Sequence, residues 1–454
     1  MSSVVVIGSQ WGDEGKGKIV DYLAQQADTV VRYSGGSNAG HTVVVNNVEF
    51  KLRLLPSGIL YKDKTCILGN GVVINPRVVL QEIADMKAKG VDTSNLLISD
   101  RAHVVFPYHE KQDELQEAAL GDAKIGTTKG GIGPCYMDKY ARTGIRVCDL
   151  MNPEILAEKL KRTLAVKNDL FTKLYGAEPM EYEPMLKDYL AYAEELRPHV
   201  TDTSVVLGNK FDEGANVLFE GAQATFLDID YGTYPYVTSS NPTAGNAATG
   251  SGVGPLYIDH VVGVVKAYTT RVGEGPFVCE LFDTDGPGTY LRNTGHEFGT
   301  VTGRPRRCGW LDAFMVKYAA RLNSMDSLAI TRLDILDGLD TIRMCTGWTI
   351  DGKAIQHIPA DLSILAQAKP VYETFKGWQK GYFRRPEIRR PAGGSPGISE
   401  APERSGRCAH RNYFCRPQPG SDLLPEEVLR LSKLQVIKNT LCLWAQRIFV
   451  REES

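Results

Sequence analysis

A glycine-rich loop near the start of the chain carries the residues best suited to chemistry. The β-branched run at residues 4–7 stops at Gly8, and a helical pattern begins after Lys16. Glycines let backbone N–H groups approach phosphate oxygens, and a helix N-terminus favours negative charge. The order strand, glycine-rich loop, lysine and helix therefore predicts a nucleotide-phosphate site over residues 8–18.

The same loop departs from the common P-loop in a way that narrows its function. The spacing from Gly8 to Lys16 is longer than GxxxxGK[ST] requires, and Lys18 offers no hydroxyl for magnesium. Two carboxylates, Asp13 and Glu14, stand inside the loop, where they would repel phosphate. An acidic pair in a phosphate cradle indicates a reactive role.

Five further segments are unusually rich in glycine, polar residues or arginine. They cover residues 34–42, 124–134, 219–241, 300–307 and 330–334. Taken singly, such loops are more often turns, arginine clusters are more often solvated surface, and His41 is more often structural. Together, two anion loops, an arginine-rich loop and an acid that ends a buried strand predict a site for several phosphates and a base.

The acid in the last of these segments, Asp334, has a specific partner chemistry. A carboxylate accepts both the N1–H and the 2-amino N–H of guanine, whereas adenine has an acceptor at N1 and no 2-amino group. Residues 331–334 therefore predict a guanine-recognition element, comparable in use to the Lys-x-Asp element of GTPases. The alternative is that Asp334 is the N-cap of the following helix.

Short apolar strands alternate with longer helical stretches along the chain, which favours a mostly parallel sheet covered on both faces. Predicted strands cover residues 4–7, 29–33, 66–68, 96–99, 216–219, 260–268 and 327–331. Predicted helices cover residues 75–89, 153–165, 184–196 and 310–322. A hairpin is expected over residues 42–52. Ligands of such sheets bind at the carboxyl ends of the strands, where the loop at 34–42 would lie.

Length and composition limit the class of protein. The chain has 454 residues and a net charge of −2, so no overall charge attracts nucleic acid or an anionic membrane. No apolar run approaches the roughly 20 residues of a membrane span. The nine cysteines are scattered without a CxxC pair, which is typical of reduced thiols. We expect a cytoplasmic protein with neither a nucleic acid nor a membrane partner.

Seven segments together resemble the adenylosuccinate synthetase family. They are residues 12–18, 36–41, 125–128, 131–134, 219–223, 232–240 and 303–307, and the likeness runs over about residues 3–380. The resemblance implies an α/β fold: one large domain with a central, mostly parallel sheet flanked by helices and a P-loop-like GTP-binding architecture. It also implies the ligation of IMP to L-aspartate with GTP and Mg²⁺, the first committed step of AMP synthesis from IMP, in a homodimer.

The resemblance implies a mechanism as well. Asp13 would remove the N1 proton of IMP, so that the 6-oxygen attacks the γ-phosphate of GTP and gives 6-phosphoryl-IMP. His41 would stabilise the transferring phosphoryl group, Lys16 would neutralise its charge, and Gln223 would hold the 6-oxygen region. The aspartate amine would then displace phosphate. Asp13 and the Gly40 carbonyl would bind Mg²⁺.

The family pattern also assigns three sets of binding residues. The GTP set is Gly12, Asp13, Glu14, Gly15, Lys16, Gly17, Lys18, Gly40, His41, Thr42, Arg306, Arg332, Leu333 and Asp334. The IMP set is Asp13, Asn38, Ala39, Gly40, His41, Thr128, Arg142, Gln223, Thr238 and Arg304, with Arg142 reaching from the partner subunit. The aspartate set is Thr300, Val301, Thr302, Gly303, Arg304 and Arg306, because arginine binds carboxylates in a bidentate manner.

The residues after Lys380 depart from the family pattern, which ends with a Ser-x-Gly-Pro segment against the guanine base. Residues 381–454 instead open with a stretch rich in Arg, Pro, Gly and Ser, a composition typical of disorder. With one choice of codons, removing a single G turns residues 381–384 into Asp-Ile-Ser-Gly. We interpret this tail as translated out of frame, which would lower GTP affinity; the alternative is a basic nucleic-acid-binding arm.

Two other functions are compatible with a phosphate cradle. A nucleotide kinase would need neither Asp13 inside the loop nor the arginine-rich loop, and it would consume nucleotide without aspartate. A nucleotide-binding protein without turnover would retain IMP binding and release no phosphate.

Overall fold

The computed structural model describes residues 2–38, 40–45, 48–121, 124–282, 286–298 and 305–377, with only the backbone at 41, 42, 44 and 45. The interpretation of residues 381–454 lies outside this range. The strands in this part of the chain are β1 (Ser3–Gly8), β2 (Thr29–Arg32), β3 (His41–Val45), β4 (Val48–Leu52), β5 (Thr65–Leu68), β6 (Val73–Ile74), β7 (Leu96–Ser99), β8 (His103–Val104), β9 (Val200–Thr201), β10 (Val217–Glu220), β11 (His260–Lys266), β12 (Tyr268–Arg271), β13 (Arg307–Asp312), β14 (Ser327–Thr331), β15 (Thr341–Ile350), β16 (Lys353–Ile355) and β17 (Lys369–Lys376).

The helices pack around these strands. They are α1 (Lys16–Ala24), α2 (Pro76–Ala88), α3 (Pro107–Leu120), α4 (Ile132–Ala141), α5 (Val147–Leu150), α6 (Pro153–Tyr175), α7 (Tyr182–Leu196), α8 (Thr203–Asp212), α9 (Gly245–Ser251), α10 (Pro287–Thr294), α11 (Ala313–Asn323) and α12 (Leu362–Leu365). None of the helices in the described ranges is long and apolar enough to cross a membrane.

The main sheet has eight strands in the order β14-β11-β1-β10-β2-β5-β7-β9, and each neighbouring pair is parallel. Its central strands are apolar on both faces. In β1, Val5 and Ile7 pack into one hydrophobic core, while Val6 packs on the opposite face with Ile19 and Val20 of α1. Burial of both faces is the arrangement that parallel strands require, and it confirms the predicted α/β fold with a mostly parallel sheet.

A second, mixed sheet stands beside the first. It has the order β12-β13-β15-β16, with β17 paired to β15. The predicted strand at 260–268 is therefore wrong in its end: the chain leaves the main sheet after Lys266 and enters the second sheet at Tyr268. The change is invisible in the sequence because both strands are β-branched and aromatic.

Other predicted boundaries shift for local reasons. The predicted helix at 310–322 begins at Ala313, because residues 307–312 form β13 and the Asp312 side chain caps α11 by accepting a hydrogen bond from Met315 N at 3.0 Å. Helix α6 runs ten residues past its predicted end, to a left-handed Gly176. The hairpin of β3 and β4 is confirmed. Sequence pattern alone predicts neither α3 nor α4.

Candidate active site

The loop between β1 and α1 has the backbone of a phosphate cradle. Gly12 and Gly15 have φ angles of 93° and 81°, in the left-handed region where glycine is favoured. Asp13 shares this region with φ 60°, which Asp tolerates better than most residues. Helix α1 begins at Lys16, and its N-cap residue Gly15 has no side chain to cover the helix N-terminus.

The two acidic residues of this loop, Asp13 and Glu14, have different surroundings. Glu14 is fully buried, and its carboxylate accepts hydrogen bonds from Gln10 N at 3.1 Å, Gly12 N at 2.8 Å and Lys16 Nζ at 2.8 Å. Glu14 therefore braces the loop from within. The Asp13 side chain is 44% exposed, so of the two carboxylates only that of Asp13 is presented to a ligand.

Gly8 is required by this brace. A Cβ atom at position 8 would lie 2.5 Å from Glu14 Oε2 and 2.8 Å from the Cβ of Ala224. Both distances are shorter than packed atoms allow, so the end of β1 must be glycine for the carboxylate to sit beneath the loop.

Arg306 joins the arginine-rich loop to the cradle. Its Nε lies 2.9 Å from Asp13 Oδ2, as an ion pair, and its Nη1 donates to Glu297 Oε2 at 2.9 Å. Glu297 Oε1 accepts from Lys266 Nζ at 3.0 Å and from the Tyr268 hydroxyl. Sequence reasoning missed Glu297 and Lys266, although a lysine at the end of an apolar strand was a signal of a buried partner.

The surroundings of Glu297 keep it ionised. Burial acts to raise the pKa of this carboxyl, but the charge of Lys266 and the hydrogen bonds from Tyr268, Lys266 and Arg306 outweigh it. The pKa of Glu297 therefore lies below its usual range. The group as a whole brings two cations and two carboxylates to the mouth of the cradle.

Two residues predicted to bind IMP meet at the carboxyl edge of the main sheet. Gln223 follows β10, Asn38 follows β2, and these strands are neighbours. Gln223 Nε2 donates to Asn38 Oδ1 at 3.1 Å. The parallel order of the sheet thus assembles this pair from positions far apart in sequence.

The second predicted anion loop has backbone N–H groups turned towards carboxylates of α3. Ile125 N, Gly126 N and Thr127 N donate to Glu117 at 2.9–3.2 Å, and Gly131 N donates to Asp113 Oδ2 at 3.0 Å. The loop therefore has the donor geometry of an anion site, and its donors bind the carboxylates of Glu117 and Asp113 in α3. Thr128 is exposed within the same loop.

The predicted guanine element differs from expectation in its backbone. Strand β14 ends at Thr331, Arg332 has a φ of 61°, and Asp334 lies in a 3₁₀ turn over Leu333–Leu336. Asp334 therefore neither ends the strand nor caps a helix, and the prediction was wrong on that point; the N-cap residue is Arg332. Asp334 is exposed, whereas Leu333 is buried beneath it.

The remaining predicted residues are only partly placed. Thr238 is half-buried, and Arg142 is exposed at the left-handed end of α4. Ala39, Thr300, Val301, Thr302, Gly303 and Arg304 lie outside the described residues, as do the side chains of His41 and Thr42. Gly17 and Lys18 lie in the first turn of α1, and Gly40 is exposed just before β3.

A further buried carboxylate, Asp312, lies away from this site at the end of β13. Its Oδ2 accepts hydrogen bonds from Cys279 Sγ at 2.9 Å and Trp348 Nε1 at 2.8 Å. Burial raises the pKa of Asp312 to about 6, and these neutral donors only partly oppose the shift. Cys279, Asp312 and Cys345 bring their side-chain ligand atoms within 4.8 Å of one another, but the hydrogen bonds account for the cluster without a metal.

Comparison with known proteins identifies the family. A family model described as adenylosuccinate synthetase matches residues 5–387. The chain belongs to the adenylosuccinate synthetase family. Members of this family are GTP-dependent ligases of purine biosynthesis, and the chain is such an enzyme: it joins IMP and aspartate to give adenylosuccinate.

Individual relatives cover most of the chain. The adenylosuccinate synthetase of Brachyspira hyodysenteriae is 61% identical over 379 residues, which are 84% of this chain and 88% of that protein. The one from Caldanaerobacter subterraneus subsp. tengcongensis is 58% identical over 382 residues, 84% of this chain and 89% of its own length. The solved structure of fully ligated adenylosuccinate synthetase from Plasmodium falciparum is 42% identical with a TM-score of 0.78, and the match covers 84% of this chain and 89% of that one.

Proposed function

We propose that the ligation proceeds through 6-phosphoryl-IMP, with Asp13 as the general base. Asp13 takes the N1 proton of IMP, the 6-oxygen attacks the γ-phosphorus of GTP, and GDP leaves. The aspartate amine then attacks C6, and phosphate departs with the 6-oxygen. The nitrogen that is now bonded to C6 loses a proton. The exposed Asp13 carboxylate inside a phosphate cradle carries this proposal, because a base must reach both its proton and the phosphoryl acceptor.

Arg306 binds the substrate aspartate in this proposal. It is already a carboxylate ligand here, paired with Asp13 and Glu297. When the substrate enters, its carboxylate takes the place of Asp13 on the guanidinium, which releases Asp13 for proton transfer. Thr300, Val301, Thr302, Gly303 and Arg304 complete the aspartate site on the strength of the family pattern alone.

GTP is held at its two ends. The phosphates lie over the cradle, where Gly12, Glu14, Gly15, Lys16, Gly17 and Lys18 are contributed by the loop and by the start of α1, with Gly40, His41 and Thr42 beside them. The Lys16 ammonium, which the structure pairs with Glu14, offsets the charge that develops on the phosphates, and His41 stabilises the transferring group. The base is read by Asp334, with Arg332 and Leu333 as neighbours.

IMP lies at the carboxyl edge of the sheet. Gln223 holds the 6-oxygen region, and the hydrogen bond between Gln223 and Asn38 supports this placement by bringing two IMP residues together. Thr128 and Thr238 bind the 5′-phosphate with Asn38, and Ala39, Gly40, His41 and Arg304 complete the site.

The enzyme is a homodimer in this proposal, and Arg142 binds the partner subunit's IMP. Arg142 is exposed at the end of α4, and the same helix exposes the large apolar side chains of Met137 and Tyr140. An apolar surface beside an exposed arginine is the composition of a subunit contact.

Mg²⁺ is the metal that suits this site. The Asp13 carboxylate and the Gly40 carbonyl are hard oxygen donors, which Mg²⁺ prefers together with phosphate oxygens. Bound there, the ion would neutralise charge on the β- and γ-phosphates.

The catalytic domain comprises residues 1–380, and the tail at 381–454 lies outside it. The family match, which ends at residue 387, supports this division. The cysteines in the described ranges are free thiols, which supports a cytoplasmic location.

Phosphate release from GTP tests the proposed reaction. The complete mixture of IMP, aspartate, GTP and Mg²⁺ is expected to release phosphate and form adenylosuccinate, and omission of any one component is expected to abolish both. GDP formation that persists without aspartate and without free phosphate would instead identify a kinase, and phosphate release that persists without aspartate would identify a GTPase.

A further inference from the structure

Three buried side chains and the partly buried Arg306 form a group beside the arginine-rich loop, which we call the Glu297 cluster: Lys266, Tyr268, Glu297 and Arg306. Lys266 and Glu297 are each 2% exposed. Glu297 Oε1 accepts hydrogen bonds from Lys266 and Tyr268, and Glu297 Oε2 accepts one from Arg306. Glu297 therefore anchors Arg306 to the end of β11 in the main sheet.

The residues on either side of the predicted aspartate-binding segment, residues 299–304, meet at this cluster. Arg306 N donates to the Glu297 carbonyl at 2.9 Å, and Phe298 forms an antiparallel bridge with Pro305. Glu297 and Arg306 thus bracket residues 299–304 through both backbone and side-chain bonds. The pairing holds Arg306 beside Glu297, with its guanidinium directed towards Asp13.

The next residue along the chain provides a matched comparison. Arg307 is held by Glu280, with its Nε donating to Oε1 at 2.8 Å, and its Nη1 donates to the Gly275 carbonyl at 2.8 Å. Its guanidinium lies 5.6 Å from the centre of the Phe277 ring. Arg307 therefore faces the scaffold, whereas Arg306 faces the cradle, although each is neutralised by one glutamate.

We propose that Glu297 is a positioning residue for the binding of aspartate, acting through Arg306. Its charge holds the guanidinium at the mouth of the cradle, and Lys266 balances the buried carboxylate so that it remains ionised. The inference rests on the proposed role of Arg306. Glu297 itself touches no substrate, so its loss weakens aspartate binding and turnover and leaves the IMP site intact.

Steady-state kinetics of Glu297→Gln test this inference. We expect the KM for aspartate to rise by about tenfold to a hundredfold and kcat to fall, as misplacement of a binding group predicts. The KM for IMP is expected to stay within about threefold. In the control Glu280→Gln, the KM for aspartate is expected to remain that of the wild type while the melting temperature falls.

A double variant separates positioning from stability. Glu297→Gln leaves the buried Lys266 ammonium with its hydrogen bond to Thr270 but without its carboxylate partner, so the variant is also expected to melt at a lower temperature. Glu297→Gln with Lys266→Met removes this unpaired charge and is expected to regain stability, while its KM for aspartate stays raised. Recovery of the aspartate KM together with stability would show that Glu297 is only structural and would overturn the inference.

Arg306→Leu distinguishes failure of this inference from failure of the proposed function. A normal aspartate KM in Arg306→Leu would remove the role of Arg306, and the inference with it. A raised KM in Arg306→Leu beside a normal KM in Glu297→Gln would overturn the inference alone. Raised values in both variants, with Glu280→Gln unchanged, are the result we expect.

Discussion

A buried carboxylate lies beside each end of strand β13, and the pKa values of the two carboxyls are shifted in opposite directions. At the start, Glu297 contacts Lys266 and Arg306, and its pKa lies below its usual range. At the far end, Asp312 accepts hydrogen bonds from neutral donors, and burial raises its pKa to about 6. Each carboxylate is 2% exposed and burial acts to raise the pKa of both, but only Glu297 has cationic neighbours that oppose this effect.

The surroundings of Glu297 belong to the proposed active site, whereas those of Asp312 belong to the scaffold. Around Glu297 the charges form a chain that ends at Asp13, where a substrate can enter and exchange partners. The hydrogen bonds of Asp312 cap α11 and connect it to Trp348, so they fix the position of the helix and present no charge to a ligand. Mutations at the two ends are therefore expected to affect different measurements.

The largest effect on activity is expected from Asp13→Asn, which removes the proposed general base from the cradle. We expect kcat to fall by about a thousandfold, the usual contribution of general base catalysis. The fold should be retained, because Asn tolerates the left-handed backbone of this position as well as Asp does. Phosphate release measures the activity, and the melting temperature serves as the control. Activity within tenfold of the wild type would exclude Asp13 as the base.

A smaller effect is expected from Asp334→Asn, at the guanine element beside Arg332. The guanidinium Nη2 of Arg332 lies 4.0 Å from Glu297 Oε1, so the guanine element lies next to the Glu297 cluster. We expect the KM for GTP to rise by about a hundredfold, because a site built for a hydrogen-bonded group discriminates strongly against a mismatch.

The same variant makes a positive prediction with another nucleotide. An asparagine amide accepts from the N1–H of xanthine and donates to its 2-oxo group, so Asp334→Asn should use XTP better than the wild type does. Asp340→Asn, also exposed and six residues further on, is the matched control. An unchanged KM for GTP with no gain for XTP would place guanine recognition elsewhere.

The smallest effect on activity is expected from Asp312→Asn, at the scaffold end. A carboxyl with a raised pKa binds its proton more tightly in the folded state, so its contribution to stability is greatest below about pH 4. That contribution is lost as the pH rises through about 6. From pH 4 to pH 7, the wild type should lose roughly 2–3 kcal/mol of unfolding free energy relative to the variant.

Urea denaturation followed by tryptophan fluorescence measures this difference. Asparagine is as good an N-cap as aspartate, so α11 should remain intact. The activity at pH 7.5 is expected to stay within about twofold of the wild type. Equal pH dependence in the two proteins would show that Asp312 titrates normally, and the contrast with Glu297 would then fail.

The sequence predicts the parts of the site that are local in the chain. The cradle at 8–18 is recognisable because strand, glycines, lysine and helix follow one another, and the hairpin and the parallel sheet follow from similar patterns. The guanine element remains a prediction from its chemistry: β14 ends at Thr331 as predicted, and Asp334 lies beyond it in a 3₁₀ turn.

The missing parts depend on contacts between distant residues. Lys266 and Glu297 are 31 positions apart, and no periodicity relates them. The passage from β11 to β12 divides one apolar run between two sheets, so pattern alone reads it as one strand. Glu14 is equally instructive: beside Asp13 in sequence, it turns inward because Gly12 N and Lys16 satisfy its carboxylate.

Transfer of the 6-oxygen is the most direct test of the account. IMP labelled with ¹⁸O at position 6 would be incubated with the enzyme, GTP, aspartate and Mg²⁺, and the released phosphate analysed by mass spectrometry. A reaction through 6-phosphoryl-IMP predicts that the label appears in the phosphate, with one ¹⁸O for each adenylosuccinate formed. Adenylosuccinate formed together with unlabelled phosphate would contradict the proposed mechanism.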